Sequence, residues 1–241
     1  MAVRKDVSGD TLRRTTNLTG NTYTVMGWFK ISVDTNDYSC FLSVEADNGL
    51  DGHWYVGTNG TGTTLISYNP SADGPNGSSL TVGTWYHVAL VRQGTGASDL
   101  IVYLNGVQDT THGGGSNDAT AGVGIGCRVT DAFDSLNGCA AAVKEYNAVL
   151  TAAEIVQEMR QYLPKRLANL NAWYPLLSTA DDEVDYSGQG RTLTVAGTWA
   201  TEDGPPIPWS MGGRRIYIPA AGGAPTGPPK KGTLALMGVG I

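Results

Sequence analysis

Hydrophobic positions along this chain fall in short runs, many with alternating polar neighbours, and turn-forming dipeptides separate the runs. The pattern predicts strands at Thr22–Ser32, Cys40–Ala46, His53–Thr58, Thr64–Asn69, Trp85–Arg92, Leu100–Gly106, Gly122–Val129 and Ala140–Ala148. In Trp85–Arg92 the residues Tyr86, Val88, Leu90 and Arg92 share one face, and His87, Ala89 and Val91 share the other. Both faces are partly apolar, which predicts an inner strand packed on two sides. Asn59-Gly60, Asp73-Gly74, Asn105-Gly106 and Asn137-Gly138 favour positive φ and mark turns. Strands at this regular spacing predict an all-β sandwich or barrel.

One segment breaks the pattern. Thr151 and Glu154 form a capping box, Ile155, Met159 and Tyr162 follow on one helical face, and Pro164 stops the run. The spacing predicts a helix of about three turns over Ala152–Leu163, packed on the sandwich. Beyond it, Asn171–Ala200 returns to the extended class.

Composition supports the same class. Charged residues are 16% of 241 positions and glycines number 33, which suits tight turns between short strands and excludes coiled coils, helical bundles and charge-driven disorder. The segment from Pro205 holds seven of the 11 prolines and eight of the 33 glycines. It also holds Arg214, Arg215, Lys230 and Lys231 without an acid, so the first 204 residues carry −10 of the overall −6. An acidic body argues against nucleic-acid binding. Three domains follow: an N-terminal extension at 1–21, a sandwich at 22–204, and a basic, Pro/Gly-rich segment at 205–241 that is either a flexible tail or, the favoured reading, an arm that becomes ordered on a partner.

Cys40, Cys127 and Cys139 are too few for a disulfide framework and are expected as free thiols. The polar start MAVRKDVSGDTLRR has no apolar run before a small-residue cleavage site, so a cytoplasm is the expected folding compartment. The longest apolar stretch, LALMGVGI, is too short to span a bilayer, and no membrane partner is expected.

Two stretches carry a family likeness. WYHVALVRQGTGASDLIVYLNGVQ resembles the paired central strands of laminin G-like domains in the concanavalin A-like lectin and glucanase superfamily, with a Trp-led strand followed by one ending in a Tyr-x-Asn-Gly turn. IGCRVTDAFDSLNGCAAAVKEYNAVLTAAEI is similar to that family's closing segment, and the likeness runs from about Thr22 to Thr198. It implies a concanavalin A-like jelly-roll sandwich. AWYPLLSTADDEVDYSGQGRTLTVAGT resembles the segment that opens such domains, yet here it comes last, as in a circular permutant. It is expected to complete the sandwich of its own chain, burying Trp173 and Leu193 with Trp28 and Val88. Donation to a neighbouring subunit is the alternative.

The superfamily's hydrolases use a Glu-x-Asp-x-Glu or Glu-x-Asp-x-x-Glu strand, because retaining hydrolysis needs two nearby carboxyls. Glu183 and Asp185 start that pattern, but Ser187 and Gly188 occupy the positions of the last Glu, so a solvated acidic turn is expected and no catalytic residue is assigned. His53, His87 and His112 lack metal-ligand spacing, so no transition-metal site is expected, and His87 reads as a partly buried packing residue. No cofactor is expected. Calcium is the one candidate that the likeness implies, with Asn117, Asp118, Asp181, Asp182 and Asp185 as rim ligands. Sugar recognition would draw on exposed aromatics in His53-Trp54-Tyr55 and Tyr68-Asn69, chiefly His53, Trp54 and Tyr68, with core burial of Trp54 the competing reading.

The sandwich, the bridge GTWATEDGPPIPW and the tail GGRRIYIPAA together resemble structural proteins of tailed bacteriophages. That resemblance implies a non-enzymatic virion protein made in the host cytoplasm, chiefly a capsid decoration protein, with a tail or fibre part next. Its partners would be other virion proteins, first the major capsid protein, and further copies of itself. Arg214 and Arg215 would offer forked donors to an acidic shell, and Ile216, Tyr217 and Ile218 would add a strand to a partner's sheet edge. A carbohydrate-binding, lectin-like module is the alternative, with a glycan as partner.

Overall fold

The computed structural model of the protein describes residues 1–5, 10–18, 20–35, 37–46, 53–69, 72–115, 121–129, 134–177 and 182–208. Along the chain come β1 (Ala2–Lys5), β2 (Thr11–Leu18), β3 (Tyr23–Ile31), β4 (Ser39–Ala46), β5 (His53–Thr58), β6 (Leu65–Asn69), β7 (Ala72–Asp73) and β8 (Trp85–Arg92). Then follow β9 (Leu100–Leu104), β10 (Val107–His112), β11 (Ala121–Ile125), β12 (Gly138–Tyr146), helix α1 (Ala152–Met159), β13 (Leu170–Tyr174), β14 (Thr194–Ala196) and β15 (Trp199–Glu202). They form two antiparallel sheets, a jelly-roll sandwich with one short helix. The first sheet runs β10-β9-β8-β3-β12-β1-β15 with β13 also paired to β12, and the second runs β14-β2-β11-β4-β5-β6-β7.

The core lies between the sheets. Val25, Phe29, Val88, Leu90 and Val102 from the first sheet meet Leu42, Val44, Trp54, Val56 and Val123 from the second. A second layer covers the outer face of the first sheet, where Ile155 of α1 packs with Met26, Ala89, Val91, Tyr103 and Tyr146. Packing on both faces explains why every residue of β12 is buried, including the adjacent Lys144 and Glu145. Lys144 points outward, where its Nζ donates to Glu158 Oε2 (2.9 Å), Glu158 O (2.7 Å) and Gln161 O (2.9 Å), tying the helix to the sheet. Burial pulls the lysine's pKa down and Glu158 opposes that pull. Glu145 points inward and takes a forked pair from Arg14 of β2 (2.6 and 2.7 Å), while Arg14 Nη1 reaches Tyr174 Oη at 2.8 Å.

The helix keeps its capping box, with Thr151 Oγ1 accepting from Glu154 N and Glu154 Oε2 accepting from Thr151 N. It ends at Met159, short of the expected Leu163, and Tyr162 still reaches the sheet from beyond it, fully buried and donating to Met1 O (2.8 Å).

Residues 1–21 are not an extension outside the sandwich. β1 lies between β12 and β15, and β2 lies between β11 and β14. The displaced segment completes the sandwich of its own chain: β13 pairs with β12, β14 with β2 and β15 with β1. Ala142 makes room for this at φ 52°, a bulge that splits one edge of β12 so that β1 takes Gly138–Ala140 and β13 takes Val143–Tyr146. The chain crosses from β14 to β15 at Gly197, where φ is 91° and a Cβ would collide with Asp10. Leu193 does join Val88 in the core between the sheets. Trp173 and Trp28, expected with them, instead lie on the outer face of the first sheet, because the pleat alternates. Trp173 is buried edge-on to Tyr186 at 5.7 Å, and the half-buried Trp28 donates to Met159 O (3.0 Å).

The start of the arm also packs on its own sandwich, contrary to expectation, since Pro205 is buried and Ile207 lies against the cluster of Ala2, Cys139 and Tyr162. Arg214, Arg215, Ile216, Tyr217 and Ile218 lie outside the described residues. The three cysteines are free and buried. Among the described residues no helix is long and apolar enough to cross a membrane.

Candidate functional site

Helix α1 packs on the first sheet, whereas among the described residues the chain leaving β11 crosses part of the outer face of the second. There Gly126 N donates to Phe41 O (2.8 Å), and Cys127 O accepts from Ser43 Oγ (2.9 Å). Gly124 permits that close crossing, since a Cβ on it would stand 2.4 Å from Cys127 O. Beside the crossing, a row of paired positions runs Ser43, Tyr55, Tyr68, Asp73 across β4 to β7. Tyr55 and Tyr68 stack with centroids 5.0 Å apart and planes 7° from parallel.

These residues floor a cavity of about 300 Å³, walled by Tyr38 from the β3–β4 connection and by Arg128 and Asp134 from the β11–β12 connection. Tyr38 Oη donates to Asp73 Oδ2 at 2.8 Å. That hydrogen bond and the aspartate's charge raise the Tyr38 pKa and keep the phenol neutral. Arg128 lies between Glu45 (3.6 Å) and Asp134 (3.7 Å). Tyr55 is buried along most of its ring, and that burial pushes its hydroxyl pKa up. The cleft sets tyrosine rings beside carboxylates and a guanidinium, a mixture of apolar and hydrogen-bonding groups suited to a ring that carries both C–H faces and hydroxyls.

Of the residues expected to touch sugar, Tyr68 lines the cleft. Trp54 does not: it is fully buried in the core, donates from Nε1 to Gly114 O (2.8 Å), and carries the Arg92 guanidinium 3.8 Å above its ring. Alternation along β5 puts Trp54 inward opposite Val44 and its neighbour Tyr55 outward. His53 opens β5 in register with Glu45. Tyr38, Asp73, Arg128 and Asp134 were not legible as site residues, because each comes from a connection or strand end. The one available signal was the period-two rule linking Tyr55 to Tyr68.

Glu183 and Asp185 are not a solvated turn. Both are buried, and Asp185 accepts from Trp173 N (3.1 Å), Ser187 N (2.8 Å), Ser187 Oγ (2.8 Å) and Arg191 N (3.1 Å). Glu183 Oε1 accepts from Leu176 N (3.0 Å), and burial lifts its carboxyl from about 4.5 to about 7 against that bond. A folded pKa above the unfolded one favours folding fully below about pH 4.5, and the contribution is lost as pH rises towards 7. Glu183→Gln is therefore expected to remove a fall of about 2–3 kcal/mol between pH 5 and 8. Melting temperatures of wild type and variant across that range test it, and parallel curves would refute it.

Of the calcium candidates, Asn117, Asp118 and Asp181 lie outside the described residues, and Asp182 accepts from Val195 N (3.0 Å). Among the described residues no group of three or more His, Cys, Asp or Glu is placed to hold a metal. His87 is wholly buried, not partly, with its ring edge-on to Trp28 at 5.5 Å. Burial, helped by Lys144, lowers its pKa to about 3 and leaves the imidazole neutral.

The fold and the sequence meet in one comparison. Residues 8–156, more than half of the chain, match the laminin G-type model of the concanavalin A-like lectin/glucanases superfamily. The chain belongs to that superfamily. The match begins near β2, earlier than the likeness from Thr22, and stops within α1, so β13 to β15 complete the sandwich from beyond it. No curated protein sequence matches the chain. Among solved structures, a Bacteroides ovatus protein proposed to bind carbohydrate is similar with a TM-score of 0.58 at 15% identity, over 86% of this chain and 63% of that one. This chain thus spans less than two thirds of that protein. The native heptameric SAP-like pentraxin of Limulus polyphemus is similar with a TM-score of 0.55 at 18% identity, over 82% of this chain and 94% of that one. At these identities the likeness is one of fold.

Proposed function

We propose that the protein is a non-enzymatic carbohydrate-binding sandwich whose ligand lies in the tyrosine-floored cleft of the second sheet. The observation that carries this reading is the Tyr55–Tyr68 pair, with parallel rings 5.0 Å apart on the sheet face that α1 leaves uncovered. A pyranose can lay its C–H face on Tyr68 while its hydroxyls bond Asp73, Asp134 and Arg128 at the rim. A cavity of about 300 Å³ suits a short saccharide. The fold shared with the Bacteroides ovatus protein proposed to bind carbohydrate supports the same reading.

Screening the full chain against an array of neutral, amino and acidic oligosaccharides is expected to find a ligand. Tyr68→Ala should weaken that ligand about tenfold through the lost stacking on the sugar, while the protein stays folded with only the modest fall in melting temperature that losing the Tyr55 pair, about 0.5–1.5 kcal/mol, would bring. Silence across the array would refute the reading, and a ligand indifferent to Tyr68→Ala would move the site elsewhere. Incorporation into a tailed-phage virion, against the major capsid protein, remains the assembly counterpart of this proposal. It rests on residues 209–241, outside the described residues.

A further inference from the structure

The charges around the cleft are unequal. Arg128 is the one cation among the described lining residues, and it is already shared by Glu45 at 3.6 Å and Asp134 at 3.7 Å. Glu45 is almost wholly buried beneath it, so that carboxylate stays with the guanidinium whatever enters the cleft. Asp73 lines the same cleft, and among the described residues it makes no ion pair with a Lys or Arg. Its Oδ2 accepts from Tyr38 Oη at 2.8 Å, which orients the carboxylate, and the residue is exposed. Three tyrosine rings, Tyr38, Tyr55 and Tyr68, complete the lining. Aromatic faces attract cations through their quadrupole, and a carboxylate beside them adds charge attraction in the same direction. The wider field agrees, since the first 204 residues carry a net charge of −10.

We infer that the cleft prefers saccharides bearing a protonated amine, as in oligomers of a 2-amino-2-deoxyhexose, and disfavours carboxylated sugars. This rests on the sugar-binding reading above and adds the chemical class of the ligand. A protonated amine placed between Asp73 and the tyrosine faces gains attraction from both. An incoming carboxylate would have to compete with Glu45 and Asp134 for Arg128 while facing Asp73, so it meets repulsion without a free partner. An N-acetylated sugar retains the stacking and the hydroxyl bonds and loses only the charge.

Calorimetric titration of the full chain with a glucosamine tetramer, its N-acetylated counterpart and a galacturonate tetramer tests this. At about 10 mM salt the glucosamine tetramer should bind about tenfold more tightly than the acetylated one, and the uronate most weakly. At about 1 M salt the first difference should shrink to within about twofold. Asp73→Asn should bring the glucosamine and acetylated tetramers to within about twofold of each other at low salt, whatever hydroxyl bonding both lose, and the fold should survive because Asp73 is exposed and the variant keeps an oxygen for Tyr38. Equal affinity for the two hexosamine tetramers, tighter binding of the uronate, or a preference that survives Asp73→Asn would overturn the inference and leave the sugar-binding reading standing. No binding of any of the three also overturns it, and the sugar-binding reading itself falls only if the wider glycan array is silent as well.

Discussion

Ending the chain at Leu170 is expected to leave a body that aggregates instead of a smaller folded domain. The missing residues include Tyr174, Leu176, Leu193 and Trp199, all packed in the core between the sheets. Burying each such side chain is worth about 1.5–3 kcal/mol, so together they approach the roughly 5–15 kcal/mol by which a whole domain is stable. The truncation also strips the partners from three strand edges: β1 loses β15, β2 loses β14, and half of β12 loses β13. Unpaired edges beside exposed apolar surface recruit other chains. Light scattering after gel filtration should show large species, and the cooperative melt should be lost. A monomer with unchanged melting would refute the expectation.

Removing one half of the buried ion pair should be almost as damaging. Glu145→Ala takes away the carboxylate that faces the charged Arg14 guanidinium between the sheets, where Arg14 Nη1 also bonds Tyr174 Oη. Glu145 is fully buried and Arg14 nearly so, hence solvent does little to screen what is lost. Breaking such a pair typically costs about 3–5 kcal/mol, whereas replacing both members by apolar residues of similar volume is often close to neutral. The Glu145→Ala variant is therefore expected to lose about 3–5 kcal/mol in urea unfolding, and the double variant Arg14→Met, Glu145→Leu to recover most of it. A single-variant loss below about 1 kcal/mol would show that the pair does not govern the packing of the two sheets.

The sandwich was legible where the pleat leaves a local mark. Alternation in Trp85–Arg92, the Asn-Gly turns and the Thr151–Glu154 capping box each act within a few residues, and the structure keeps β8, the turn at Asn105-Gly106 and α1. The run TLRRTTNL hid β2, because its polar residues read as surface while Arg14 points into the core to meet a partner 131 positions away. The sequence reads Trp54, Tyr55 and Tyr68 alike as aromatics for one sugar site, and the same alternation sends Trp54 into the core and Tyr55 out to stack on Tyr68.

The sequence alone determined that the chain is an all-β sandwich of this superfamily, with one capped helix and a displaced strand segment, because periodicity and turn chemistry are properties of neighbouring residues. Only the tertiary structure decided that residues 2–18 supply strands to both sheets, that Glu183 and Asp185 are buried supports, and that Tyr38, Asp73, Arg128 and Asp134 meet around Tyr55 and Tyr68. Those groupings depend on strand order and on where the β3–β4 and β11–β12 connections bring Tyr38, Arg128 and Asp134. Strand order is set by the summed burial of many side chains far apart in the chain, and no short window of sequence contains that sum.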